Sequence, residues 1–436
     1  MNTQVETYNQ GLLEFIARAS SPFHAVREMC LRLQVAGFER LEEASGWALQ
    51  NGARYFLTRN DSSIIVFTMG READPLRGLR MVGAHTDSPC LMVKPNPEKE
   101  SKGYRQLGVE VYGGALLNPW FDRDLSIAGR VTFVDSGGCL RKELVDFRKP
   151  IAVIPSLAIH LDREANKNRS VTAQTDIVPL LQQGDEFDIR SLLAQQLEAE
   201  YGITGVDKVL EYELCFYDTQ LPQVVGLAGE FIASARLDNL LSCYAGLQAI
   251  IESDGVVSSL LVCNDHEEVG SMSAAGAQGP MLDAVLRRLS GSSEQHAAMI
   301  DRSFLISADN AHAVHPNYAS RHDENHGPLL NGGPVIKTNA NQRYASNSET
   351  AALFRLLCQQ LDIPVQSFVV RSDMACGSTI GPITAGEIGV RTLDIGVPQF
   401  AMHSVRELTG SLDPWRLAQV LKLYMEWREP LRAQPV

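Results

Sequence analysis

The chain has 436 residues, with 39 Lys and Arg against 52 Asp and Glu, a formal charge of -13 with His neutral. Such a surface repels phosphate backbones and anionic membranes, so neither nucleic acid nor membrane is an expected partner. With 44% hydrophobic and 21% charged residues and no apolar run long enough to span a bilayer, the chain reads as globular with ample core material.

The polar start from Met1 to Gln10 lacks the basic-then-apolar order of a signal peptide, so a cytoplasmic protein is expected. Of eight cysteines the nearest two, Cys358 and Cys376, are 18 positions apart, so there is no C-x-x-C zinc or redox unit. Reduced, mostly buried thiols are expected.

Apolar positions at helical spacing (Leu12, Leu13, Phe15, Ile16, then Val26, Met29, Leu31, Leu33), broken at Ser20-Ser21-Pro22, predict two helices across a turn. Residues 55–69 alternate like a strand pair, and 79–84 form an apolar strand ending at His85. From about Met92 to Ala235 short β-like runs at 108–112, 130–135, 151–154 and 210–217 alternate with Gly and Pro, which predicts a separate β-rich unit. Strand and helix then alternate: helix 238–251, strands 258–263 and 303–307, helix 348–361, strands 367–370 and 390–395. A final helix runs to Trp427, with Asp413 as N-cap and Pro414 at its first position. The expected fold is α/β: a mixed, largely parallel sheet flanked by helices, interrupted by a β-rich insertion. The expected boundaries are 1–92 and 236–436 for the two parts of the α/β domain and 93–235 for the insertion.

Several predicted strands run into residues that bind metals or move protons: His85-Thr86-Asp87, Asp265-His266-Glu267-Glu268, Asp309-Asn310-Ala311-His312 and, a few residues beyond the last strand, His403. In an open α/β sheet the ligand site lies beyond the carboxyl ends of the strands, so distant segments can converge there. Imidazole and carboxylate without thiolate suit zinc, cobalt or manganese. With His85, Asp238, Glu268, Asp309 and His403 as ligands, two ions ~3.5–4 Å apart could share one carboxylate, leaving Glu267 free as general base. Asp87 is placed to accept the second imidazole N–H of His85 and fix its tautomer. Asp238 alone reads equally as a helix N-cap, and Glu267-Glu268 alone as a solvated pair. H-E-x-x-H, G-x-S-x-G, Walker A and G-x-G-x-x-G patterns are absent.

The stretches GAHTDSPCLMVKP, NPWFDRDLSIAGR, LAIHLDRE, SARLDNL, DHEEVGS, SADNAHAVHPNY, NQRYASN, CGSTIGPI and MHSVREL, spread over nearly the whole chain, resemble the aspartyl aminopeptidase family of two-metal exopeptidases. The resemblance implies removal of N-terminal residues from peptides, with Asp or Glu preferred, two ions per subunit (zinc, with cobalt or manganese as alternatives) and a homo-oligomer, a dodecamer built from dimers. It makes Asp238 the bridging ligand, with His85 and Asp309 on one ion, Glu268 and His403 on the other, and Glu267 as general base. It places His312 near the substrate and His160 in the site of the dimer partner, with the insertion as dimerisation domain. A substrate carboxylate needs a local cation in so acidic a protein; Lys337 is the first candidate and Arg343 the second, although either could be a surface charge. Met374-Ala375 before the Cys-Gly-Ser-Thr stretch departs from the family pattern and bears on pocket shape. Alternative readings are an aminopeptidase for neutral residues, a carboxypeptidase or deacylase of the same two-metal class, and a non-catalytic assembly protein, against which the complete ligand set with Glu267 argues.

Overall fold

The computed structural model describes residues 3–72 and 77–433. The chain divides into two compact units: residues 1–87, 222–402 and 407–436 form the first, and 88–221 with 403–406 the second.

The first unit is built on a nine-stranded sheet. Its strands are β1 (Glu39–Arg40), β2 (Arg54–Arg59), β3 (Ser63–Thr68), β4 (Arg80–His85), β5 (Ser259–Asn264), β6 (Phe304–Ala308), β7 (Val335–Lys337), β8 (Gln366–Phe368) and β9 (Arg391–Gly396), in the order β1-β2-β3-β5-β4-β6-β9-β7-β8. The four central strands β5, β4, β6 and β9 are mutually parallel, while β2/β3, β3/β5 and β9/β7 pair antiparallel. This is the mixed, largely parallel α/β sheet read from the sequence.

The central strands are buried along their length, because successive side chains feed two different cores. Val82, Ala84, Leu261, Cys263, Ile306 and Ala308 pack with helices Thr3–Arg18, Pro22–Val35, Leu237–Glu252, Ser348–Gln360 and Asp413–Met425. Met81, Leu260, Val262 and Leu305 point to the other face, against helices Met281–Ser290 and Ser293–Arg302. Two of the predicted features differ. Residues 151–154 form only isolated bridges at Ala152 and Val153. Leu412, not Asp413, is the N-cap of the last helix; the Asp413 carboxylate instead accepts the N–H groups of Asn331 (2.6 Å) and Gly333 (2.9 Å), a tertiary contact that local sequence does not signal.

The second unit is an antiparallel six-stranded sheet, with strands Leu140–Asp146, Leu125–Asp135, Val206–Asp218, Cys90–Ser101, Tyr104–Tyr112 and Leu180–Gln183 in that spatial order. Helix Ile189–Tyr201 lays Ile189, Leu193 and Leu197, a stripe at four-residue spacing, on the core of Leu91, Ile127, Phe133 and Phe216. Its N-cap Asp188 accepts from Ser191 N–H at 2.8 Å, and Gly202 ends it at φ 66°. No disulfide is formed among the described residues; of the eight cysteines four are buried, three partly buried, and Cys139 is exposed. Among the described residues no helix is long and apolar enough to cross a membrane.

Candidate active site

In the first unit, the carboxyl ends of β4, β5 and β6 bring together most of the predicted set. His85 is the last residue of β4, 1% exposed. Its Nε2 stands 3.6 Å from Asp238 Oδ1 and 3.5 Å from Asp309 Oδ1. Both separations are longer than a hydrogen bond but match the edge of a tetrahedron around an ion with ligands at 2.0–2.1 Å, which is about 3.3 Å. The donor atoms of His85, Asp238 and Asp309 lie within 4.8 Å of one another, as do those of His85, Glu267 and Glu268. These donors therefore fit a divalent ion by residue type and by spacing.

The other ring nitrogen fixes the tautomer. His85 Nδ1 lies 3.1 Å from the backbone oxygen of Asp87 and 3.4 Å from its carboxylate, so the backbone carbonyl is the nearer acceptor. The Asp87 carboxylate has a second task that sequence reasoning missed. Past β5, His266 takes a left-handed conformation (φ 62°), and Glu267–Val269 form one 3-10 turn, leaving the first N–H groups of that turn without helical acceptors. Asp87 accepts both, from Glu267 N–H and Glu268 N–H at 3.1 Å each, and so positions the glutamate pair.

Asp238 and Asp309 are each followed by an asparagine that anchors them. Asn239 Nδ2 donates to Ala308 O (2.8 Å), and Asn310 Nδ2 donates to Leu237 O (2.9 Å) and to Gln399 Oε1 (2.7 Å). Glu407 accepts from Asp238 N–H at 3.0 Å and from Gln399 Nε2 at 3.3 Å. The repeated Asp-Asn pair was the available signal for this network; Glu407, in MHSVREL, carried none.

Electrostatically the cluster is short of positive charge. Burial opposes the His85 imidazolium, yet Asp238, Asp309 and Asp87 outweigh it and push its pKa well above the usual value. Burial, with Asp309, Asp87 and Asp238 against an opposing His85, pushes the Glu267 carboxyl up to about 7. Burial and Asp87 push Asp265 up to about 6. A divalent cation would relieve this crowding of carboxylates.

The remaining predicted residues divide. Lys337, the last residue of β7, is 2% exposed, and its Nζ donates to Asp309 Oδ2 (3.2 Å) and Asn310 O (3.1 Å) with the Tyr344 ring 5.2 Å away. The ammonium expected to meet a substrate carboxylate is thus already engaged by Asp309. Arg343 is exposed and forms no ion pair among the described residues. His312 is solvent-exposed, its ring edge-on to Phe368 at 5.9 Å. In the second unit His160 lies in an exposed turn flanked by exposed Leu157, Ile159 and Leu161. His403, in the four-residue segment assigned to that unit, has φ 69° and Nδ1 3.2 Å from Gly114 O.

The chain as a whole is similar to known proteins. The family model of the aminopeptidase I zinc metalloproteases (M18) matches residues 15–426. The chain belongs to the M18 family. Curated relatives include a "Probable M18 family aminopeptidase 2" of Pseudomonas savastanoi pv. phaseolicola, 60% identical over 95% of this chain and 97% of the relative. One of the same description from Pseudomonas aeruginosa is 61% identical over 95% and 96%. Among solved structures, a cryo-EM structure of an Ape4 and Nbr1 complex superposes with a TM-score of 0.93 at 39% identity, covering 97% of this chain and 86% of that one. A mApe1 dodecamer from S. cerevisiae gives 0.81 at 27% identity over 95% of each chain. This M18 chain is therefore a metal-dependent aminopeptidase, a hydrolase of peptide bonds.

Proposed function

We propose that the chain removes the N-terminal residue of peptides with two divalent ions, zinc foremost, and that acidic N-terminal residues are preferred. The observation that supports the two-metal reading is the meeting of His85, Asp238, Asp309, Glu267 and Glu268 beyond the ends of the parallel strands, five donor residues where one catalytic ion takes three. Asp238 would serve both ions, with His85 and Asp309 completing one and Glu268 and His403 the other. When bound, the ions supply Lewis acidity that polarises the scissile carbonyl and acidifies a water. Glu267 takes the proton of the attacking water and passes it to the departing amine. Asp87 keeps Glu267 in reach by holding its backbone N–H. His312 is taken to line the substrate pocket.

The acidic preference rests on the resemblance and needs a cation beside the substrate. The engagement of Lys337 by Asp309 favours Arg343 for that place, and it also favours a second reading, an aminopeptidase for neutral residues. The antiparallel unit would be the dimerisation surface, its exposed His160 completing the site of a second copy, and the assembly a dodecamer in the cytoplasm.

Glu267→Gln should retain both metals by elemental analysis and lose about 10²–10⁴-fold in kcat. Full metal content with undiminished turnover would remove Glu267 as the base. Peptides beginning with Asp, Glu or Leu, assayed after chelation and re-addition of zinc, cobalt or manganese, decide metal and preference together. A requirement for blocked N-termini would instead identify a deacylase.

A further inference from the structure

The central strands that carry the site at one end carry arginine at the other. Arg80 opens β4, Arg391 opens β9, and Arg302 stands two residues before β6. A six-residue strand extends roughly 17 Å, so these guanidinium groups lie at the opposite edge of the sheet from His85 and Asp309. With Arg77, Arg428 and Arg432 they line a cavity of about 490 Å³, whose acidic lining among the described residues is Asp301 and Glu429. The volume is that of a small-molecule pocket.

Arg80 makes the cavity unusual. It is 3% exposed, and its guanidinium donates to the backbone oxygens of Trp427 (2.7 Å), Gly78 (3.2 Å), Glu429 (3.3 Å) and Arg77 (3.4 Å). Among the described residues it forms no ion pair with a carboxylate. Carbonyl acceptors satisfy N–H groups but leave the net charge in place, and buried charges are ordinarily paired. The bonds to the chain after Trp427 explain how that segment is held; they do not cancel the cation. Arg391 donates through Nη1 to Glu349 (3.2 Å) and Leu431 O (2.9 Å), while its buried Nε has no acceptor among the described residues. The remaining pairs, Arg77–Glu72 (3.6 Å), Arg432–Asp301 (3.4 Å) and Arg428–Asp254 (3.0 Å), each involve an arginine more than half exposed, so they hold their charges loosely.

We propose that this cavity is a binding site for a small phosphate anion, free or as a monoester. A phosphate there would meet the uncompensated charge of Arg80 and the exposed forks of Arg77, Arg428 and Arg432, and a tetrahedral dianion can accept from several such donors at once. The site is separate from the peptidase centre and does not depend on its assignment.

The test is isothermal titration of the metal-loaded, full-length chain with inorganic phosphate and with AMP, at ionic strength fixed with sodium chloride. Saturable binding of either probe is expected, and equal affinities would identify the phosphate group alone as the ligand while tighter AMP would identify a nucleotide. The double variant Arg77→Ala/Arg432→Ala alters only the exposed rim, so it should fold and keep aminopeptidase turnover within about two-fold. It should bind the probe about ten-fold more weakly or worse. Absence of saturable binding to the parent chain overturns the proposal, and so does unchanged affinity in the double variant, which would put the anion at the metal centre.

Discussion

At the scale of single residues, the site separates what a side chain is from what it is bonded to. The strand-end histidine and carboxylates were legible because their chemistry follows apolar runs that must be strands. The fate of Lys337 was not, since its pairing with Asp309, 28 positions away, is set by how β7, β9 and β6 lie side by side. Asp309 turns one oxygen towards His85 and the other towards Lys337, so Lys337→Met would release one side of a proposed metal ligand. Loss of such a supporting contact typically costs 10–100-fold in metal affinity or activity. The expectation is a loss of about that size in kcat/KM for Asp- and Leu-peptides alike, with weaker zinc retention against a chelator. A loss confined to Asp-peptides, through KM and with zinc retention unchanged, would return Lys337 to the substrate pocket. Arg343→Ala should raise KM for Asp-peptides while leaving Leu-peptides untouched, and equal effects on both would remove it from the specificity argument.

At the scale of elements, close backbone approaches set the positions of the ligands. Gly396 ends β9 where an added Cβ would lie 2.1 Å from the Asp309 carbonyl oxygen. Gly396→Ala should therefore push the Asp309 segment away from His85, destabilise the fold by about 3 kcal/mol in urea unfolding and reduce zinc per chain. Normal zinc content and stability in that variant would show the two segments to be free to separate. Asp413 offers a prediction in pH. Burial pushes its carboxyl up to about 6 from an ordinary 3.8, so the folded state holds the proton more tightly than the unfolded state does. That contribution is favourable at low pH and is lost as pH rises from about 4 to 6, by roughly 3 kcal/mol for this group. Asp413→Asn should flatten the stability profile across that window, and an unchanged slope would assign it to Asp265 or another acid.

The parallel strands were readable because both of their faces are apolar, whereas several helices were not. Ile380–Ile388 (IGPITAGEI) contains Pro382, Gly381 and Gly386, poor helix formers, and is held instead by packing: its Ile380 lies 3.1 Å from where a Cβ on Gly83 would stand. Strand Cys90–Ser101 contains Pro95 and Pro97, which argue against a strand locally. The register shift between Val93 and Glu98 accommodates them.

For the whole molecule, the charge of -13 opposes close approach of copies, so the proposed assembly would have to rest on local apolar surface. Leu157, Ile159 and Leu161 are 57%, 48% and 74% exposed around His160, a concentration that suits burial against another copy. Leu157→Asp/Leu161→Asp should yield a smaller particle by light scattering, with activity lowered if His160 serves a neighbouring site. An unchanged mass would show that this turn is not part of the contact.

The Asp87 carboxylate that gathers the N–H groups of Glu267 and Glu268 joins segments 180 and 181 positions apart, and Arg80 reaches Trp427 across 347. Asn9 in the first helix donates to Ser411 O across 402. Such separations bear on the order in which the protein is made. While the ribosome is still adding residues, the early strand ending in His85 has neither the glutamates it will face nor the late segment that holds its other end. An unfinished or prematurely terminated product therefore lacks the contacts that hold both ends of that strand.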